Sequence, residues 1–146
     1  MSAWSVNPWV EVLTAYRRRA PELIIEACRA YERFILEANR RQLQERGRDS
    51  EGASLGTYAA STIRYKISRG QAYDRVTLRD SGDFHRSFTI RYDQDELAIY
   101  ADDDKTPKLV RRYGTDILGL AEADITKLIE LVRPDFLDAF RKAMLS

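Results

Sequence analysis

In 146 residues the chain has one cysteine, Cys28, and one histidine, His85. A single cysteine excludes an intrachain disulfide framework and a cysteine-rich metal site, and it fits a reducing compartment. A single histidine excludes the usual multi-histidine metal site. An excess of charge is missing too. Lys and Arg number 24 and Asp and Glu 23, a net charge of +1, so nothing in the balance recruits nucleic acid in bulk. No apolar run approaches the roughly 20 residues of a membrane span. The opening "MSAWSVNPW" has neither a basic n-region nor an apolar h-region, so no signal peptide is expected. The phosphate-binding loop, G-x-G-x-x-G, H-E-x-x-H and C-x-x-C are all absent.

What remains is a globular composition, 44% hydrophobic and 32% charged, long enough to bury a core as one domain over residues 1–146. Residues 8–46 read as helical. Asn7 and Pro8 suit a helix start, Trp9, Val12, Leu13 and Tyr16 recur at helical spacing, and Pro21 suits the start of a second helix after "RRRAP". Leu23, Ile24, Ala27, Tyr31, Phe34, Ile35 and Ala38 then hold one face, with Cys28 at its edge and Leu43 off it. "ERGRDSEGASLG" ends the helix. "TYAASTIRYKISRGQAY" allows either a strand or a short helix. The strand signal peaks in "SFTIRYDQDELAIYAD", where Phe88, Ile90 and Tyr92 alternate with polar residues, "DQDE" turns, and Leu97 and Ile99 resume the alternation. A hairpin is marginal alone, so a third strand is expected at Val76–Arg79 within a sheet region 55–104. Around Lys108–Tyr113 a single helical turn is expected. Ile125, Leu128, Ile129, Val132, Phe136, Leu137, Phe140 and Met144 then mark a C-terminal helix, 121–145, in which Pro134 predicts a kink or two helices in line. The expected fold is α+β: a long N-terminal helix and a C-terminal helix packed on a small, mostly antiparallel sheet.

The chemistry-bearing residues gather in few places. "LRDSGDFHRSF" holds His85 between Asp80, Ser81, Asp83 and Ser87, but no nucleophile elbow surrounds either serine, and a lone histidine needs partners before it catalyses anything. Carboxylates cluster at strand ends: Asp80 and Asp83; Asp93, Asp95 and Glu96; Asp102, Asp103 and Asp104. A small metal-dependent nuclease would use such ends, with Asp102 and Asp103 foremost. Aspartate is also ordinary in turns, where it bonds the local backbone, and the calcium-loop pattern is absent. The arginine groups Arg17–Arg19, Arg40–Arg41 and Arg111–Arg112, interleaved with acids, suit protein contacts better than a nucleic-acid stripe.

"LRDSGDFHRSFTI" resembles a pattern of leucine, aspartate, Ser/Thr, glycine, a large apolar residue, serine and a second large apolar residue. That pattern is found in tail-completion and head–tail joining proteins of tailed bacteriophages. Here its residues are Leu78, Asp80, Ser81, Gly82, Phe84, Ser87 and Phe88. The element "RRYGTDILGL", with Tyr113, Gly114 and Gly119, resembles one that follows the hairpin in a group from phages and prophages of Bacteroidetes-type bacteria. The resemblance covers roughly residues 55–132. Ser81 stands where threonine is commoner, and Ala121 stands where a capping Thr, Asn or Asp is usual, so the last helix should fray or be covered by a neighbour.

The resemblance implies a virion structural protein of the neck or tail end. It would be assembled in the bacterial host cytoplasm and act as copies in a ring, between a head connector or adaptor and tail tube or terminator proteins. It implies no enzyme activity, no cofactor, no metal and no membrane, with nucleic acid met only in the ring lumen. Trp4, Trp9, Arg17, Arg18, Arg111 and Arg112 are the expected subunit contacts. Within the motif, Gly82 should supply backbone freedom and His85 should face outward or toward a neighbour, so that its loss leaves folding intact.

Overall fold

The computed structural model describes residues 7–93 and 95–145, the backbone alone for 7–16. The elements follow in the order α1 (Asn7–Arg29), α2 (Glu32–Arg46), α3 (Ala60–Ser68), α4 (Asp83–Arg86), β1 (Phe88–Tyr92), β2 (Leu97–Ala101), α5 (Thr106–Tyr113), a 3-10 turn (Thr115–Ile117) and α6 (Glu122–Leu145). The fold is α+β, with helices packed on one antiparallel hairpin and a long C-terminal helix.

The hairpin follows its sequence pattern. Phe88 pairs with Ala101, Ile90 with Ile99 and Tyr92 with Leu97, and these residues turn toward the core while Arg91 and Tyr100 face out. The third strand is not formed. Val76, Thr77 and Leu78 are all buried in succession, whereas a strand on a half-buried sheet would alternate. Side chains, not a ladder, hold that segment. The Thr77 N–H donates to the Tyr58 hydroxyl at 2.9 Å, and the Thr77 carbonyl faces His85 Nε2 at 2.9 Å. Leu78 has φ 56°, in the left-handed region that costs a non-glycine residue about 1–2 kcal/mol. The ambiguous 57–73 stretch is helical at its centre, as α3, and α5 runs for eight residues, longer than the single turn expected.

Pro21 does not start a helix. It lies inside α1, and the chain breaks at Ala30–Tyr31 instead. The Tyr31 hydroxyl donates to Asp135 on α6 at 2.9 Å, which ties the joint down. The break also shifts the buried face. Ile25 and Cys28 are core residues, while Ile24 is 41% exposed. Pro134 likewise sits within a single helix, α6. In both helices a local penalty is overridden by packing, because α1 and α6 lie against each other.

Two buried clusters make up the core. One joins Cys28, Ile35, Ile90, Ile99, Leu128 and Val132. The other joins Leu43, Val76, Leu78, Phe84, Phe88 and Ile117. Leu43, off the sequence stripe, is fully buried in the second cluster. Leu36 and Leu118 touch both clusters.

Polar residues of α2 fix the join between them. Asn39, fully buried, donates from Nδ2 to the Ile117 carbonyl at 2.9 Å and accepts from the Gly119 N–H at 3.0 Å. Gln42 Oε1 accepts from the Ala121 N–H at 2.9 Å, so the uncapped start of α6 is covered by a neighbour. Gly119 fits because a Cβ there would meet the Ser50 Cβ at 3.0 Å. Replacing Asn39 with Leu strands the buried Ile117 carbonyl and the part-buried Gly119 N–H, and a buried group left unpaired costs about 1–3 kcal/mol. We expect Asn39→Leu to lower unfolding free energy by about 2–4 kcal/mol in urea titration; an unchanged midpoint would count against this role.

Candidate functional site

The eleven residues from Leu78 to Phe88 fold as a turn, one helical turn and a re-entry into β1. Gly82 has φ 90°, which a side chain adopts only under strain. Ser81 Oγ accepts from the Asp83 N–H at 3.3 Å and donates to Asp83 Oδ2 at 2.8 Å. Arg86 closes on the Asp83 carboxylate. These bonds hold the Asp83 carboxyl below the usual carboxylate range, Ser81 contributing most and Arg86 next. Ser87 Oγ donates back to the Phe84 carbonyl at 2.7 Å. Leu78, Phe84 and Phe88 are buried in the second cluster, and the Phe84 and Phe88 rings meet edge to face at 5.0 Å.

His85 does not face outward; it is 3% exposed. Nε2 carries the proton, because its partner at 2.9 Å is the Thr77 carbonyl, and Nδ1 faces the Gln44 amide at 3.4 Å. The ring stacks on Phe88 at 5.5 Å, and the His85 carbonyl accepts from Arg40 Nε at 2.7 Å. Burial pushes the imidazole pKa below its ordinary value. The Thr77 bond opposes that shift, and the charges of Arg79 and Arg40 add to it. No serine or cysteine is hydrogen-bonded to the ring. Cys28 is buried, with its thiol pushed up by desolvation, the opposite of an activated nucleophile. The imidazole is thus a structural donor to the Val76–Leu78 segment.

The motif also walls a cavity of about 270 Å³. Leu78, Phe84 and Leu109 give it an apolar floor, and Tyr58, Tyr65 and Tyr113 line it. Lys66, 4% exposed, is part of the wall. Its ammonium donates to the Arg79 carbonyl at 2.6 Å and to Gln71 Oε1 at 3.3 Å, and lies 4.8 Å from the centre of the Tyr58 ring. Among the described residues no carboxylate pairs with it. Arg79, Asp80, Asp83 and Lys105 stand at the rim. Neither the buried lysine nor the cavity was read from the sequence. A lysine at helical spacing inside "TIRYKIS" carries no signal of burial.

The other sequence candidates are placed as follows. Tyr113 closes α5 against the second cluster and lines the cavity, and Gly114 follows it with φ 90°. Arg17 and Arg18 on α1 and Arg111 and Arg112 on α5 are exposed. Trp4 lies outside the described residues, as does the side chain of Trp9. The carboxylates of Asp93, Asp95 and Glu96 sit at the hairpin tip and those of Asp102–Asp104 at its base, a strand length apart. Asp103 Oδ1 accepts from the Lys105 N–H at 2.8 Å at the start of α5. Among the described residues no three His, Cys, Asp or Glu side chains are grouped to hold a metal ion. Nor is any helix among them long and apolar enough to cross a membrane. No family model, curated protein or solved structure matches the chain significantly.

Two outcomes follow. Because His85 is neutral when folded and its pKa is depressed, the unfolded chain binds the extra proton first. Its contribution is fully present above the unfolded value of about 6.5 and is lost progressively as pH falls below that toward the depressed folded value. Denaturation titrations should therefore show stability dropping as pH falls below about 6.5, and the drop should be smaller in His85→Ala, which itself costs about 2–4 kcal/mol at neutral pH. Gly82→Ala should cost about 1–2 kcal/mol through its positive φ, and Gly82→Val more. A His85→Ala protein as stable as the parent would contradict the burial of the ring.

Proposed function

We propose that the chain is a virion structural protein of the neck or tail end of a tailed bacteriophage, a head–tail joining or tail-completion component that acts as copies in a ring. The observation that carries this reading is the use made of the two motif elements. "LRDSGDFHRSF" and "YGTDILG", 24 residues apart in the chain, meet in a single core cluster through Leu78, Phe84, Phe88, Tyr113 and Ile117. The polar residues of the first element bond one another and the local backbone. A motif spent this way is a folding signature, and such a signature resembles the phage assembly family without demanding a reaction.

The remaining surface suits contact between proteins. Arginines lie over tyrosines, Arg91 at 4.1 Å from the centre of the Tyr100 ring and Arg69 at 5.0 Å from that of Tyr65. Ile125, Ile129, Leu137 and Met144 of α6 are exposed, because the apolar stripe of α6 is wider than the face covered by α1. Both are enriched features of binding surfaces. The nuclease alternative would need the acidic strand ends to converge: the Asp93–Glu96 group lies a strand length from the Asp102–Asp104 group, and among the described residues no three His, Cys, Asp or Glu side chains are grouped to hold a metal ion.

The test is electron microscopy of the purified chain, alone and with connector proteins from the same genome, together with immunolabelling of purified particles. We expect closed rings and label at the neck. A chain that forms no ring under either condition and is absent from particles would end this reading, and magnesium-dependent cleavage lost in Asp102→Asn would favour the nuclease.

A further inference from the structure

The start of α6 is capped by a side chain from another helix, and that arrangement leaves two polar groups over. Ala121 is the N-cap residue, since its carbonyl accepts from the Asp124 and Ile125 N–H groups at 3.0 Å. An alanine side chain offers no capping oxygen. In a capping box, an acidic or amide side chain at the third helical position reaches back to the N-cap N–H. Asp124 holds that position in α6, but the Ala121 N–H already donates to Gln42 Oε1 at 2.9 Å. Asp124 is thereby displaced from its customary partner. It is 8% exposed, and among the described residues its carboxylate has neither an ion pair nor a hydrogen bond.

The same bond orients the Gln42 amide. With Oε1 committed to Ala121, Nε2 brings two N–H donors to the other side. Gln42 is 2% exposed, and Nε2 has no partner among the described residues. Exchanging the two ends of the amide would set Nε2 against the Ala121 N–H, donor against donor.

This spare donor and this spare acceptor line one small cavity of about 60 Å³. Gln42 and Asp124 are buried in its wall, and Arg41, Glu45, Arg46 and Lys127 are exposed around it. A water takes about 30 Å³ in the liquid, so one or two fit. Charge selects among small occupants. An anion would meet the Asp124 carboxylate. A cation would meet the Gln42 N–H groups and three bases. A neutral molecule that accepts on one side and donates on the other suits both.

We propose that this cavity is a hydration site, in which a bound water accepts from Gln42 Nε2 and donates to the Asp124 carboxylate. The water joins the two groups that the borrowed cap leaves over. The join between α2 and α6 then consists of the two Asn39 bonds, the Gln42 bond to Ala121 and this bridge. The site is independent of the assembly reading and stands or falls apart from it.

Cross-relaxation NMR between water and amide protons on isotope-labelled protein tests it. We expect the Gln42 side-chain amide protons to show a direct dipolar cross-peak to a bound water, a measurement on the parent that requires no variant to fold. Asp124→Leu removes the acceptor and fills its place, and should abolish the peak. Stability gives a second readout. Gln42→Glu keeps an acceptor for Ala121 but sets a carboxylate across the water from Asp124. Asp124→Asn puts an amide where the acid was. At neutral pH the protein carrying both changes should have a folding equilibrium constant at least about tenfold above that expected from the two single changes combined, because donor and acceptor have only changed places. A parent protein without the cross-peak overturns the proposal. So does a peak that survives Asp124→Leu, or a pair of single changes that combine additively. Strong coupling without the peak would mean that Gln42 and Asp124 touch directly, and the water bridge would be wrong.

Discussion

The buried amide of Asn39 is the constraint on which the rest of this fold leans. Its two hydrogen bonds set the path of residues 117–119, and that short segment carries Ile117 into one cluster and Leu118 into both. Gln42, one turn further along α2, then receives the first free amide before α6. Two polar side chains on one helix thereby decide where the C-terminal helix begins and how it returns along α1. Apolar packing alone would leave that register loose, since hydrophobic contact is not directional. The hydrogen bonds supply the direction, and the clusters supply most of the free energy.

A comparable division of labour governs the Leu78–Phe88 turn. Three apolar side chains hold it in the core, while the polar residues determine its shape. The imidazole of His85 is part of that second group. It supplies the donor that the Thr77 carbonyl lacks because no third strand lies beside it. Tyr58 performs the matching service for the Thr77 N–H. The segment therefore runs through the core without belonging to a sheet, and it can take the left-handed conformation at Leu78 that a ladder would forbid. That bend makes Leu78 part of the cavity wall.

These arrangements explain what could be read in the sequence. The hairpin was legible down to which residues face inward, because period-two alternation over Phe88–Tyr92 and Leu97–Ala101 is a local property. The two long helices were legible for the same kind of reason. The α2 core pair was not, because Asn39 and Gln42 look like solvent-facing residues until the 117–121 segment arrives from far along the chain. Val76–Arg79 mimicked a strand through its alternating apolar letters, yet its backbone partners are side chains from elsewhere. His85 was misplaced because a polar neighbourhood suggested exposure, while its acceptor is set by tertiary structure. Pro21 argued for a helix start on a local rule that the α1–α6 pairing overrides, whereas at Pro134 the continuing apolar phase gave a helix that runs on, as α6 does. The cavity was not legible at all: the Leu78–Phe88 residues that wall it read only as a turn, and nothing in α3 signalled that Lys66 would be buried.

The near-zero net charge takes on a different meaning once the charges are placed. A balance of +1 excludes bulk attraction to nucleic acid, but it does not make the surface neutral. Asp93, Asp95 and Glu96 stand at the hairpin tip, with Glu22 and Glu26 of α1 beside it, while at the base Asp80, Asp83 and Asp102–Asp104 are mixed with Arg79, Arg86 and Lys105. Exposed ion pairs are individually weak, roughly 0–1 kcal/mol, so those of this surface add little to the stability of the fold. What holds the fold is therefore the two buried clusters and the buried polar bonds of Asn39, Gln42 and His85, not the charges at its surface.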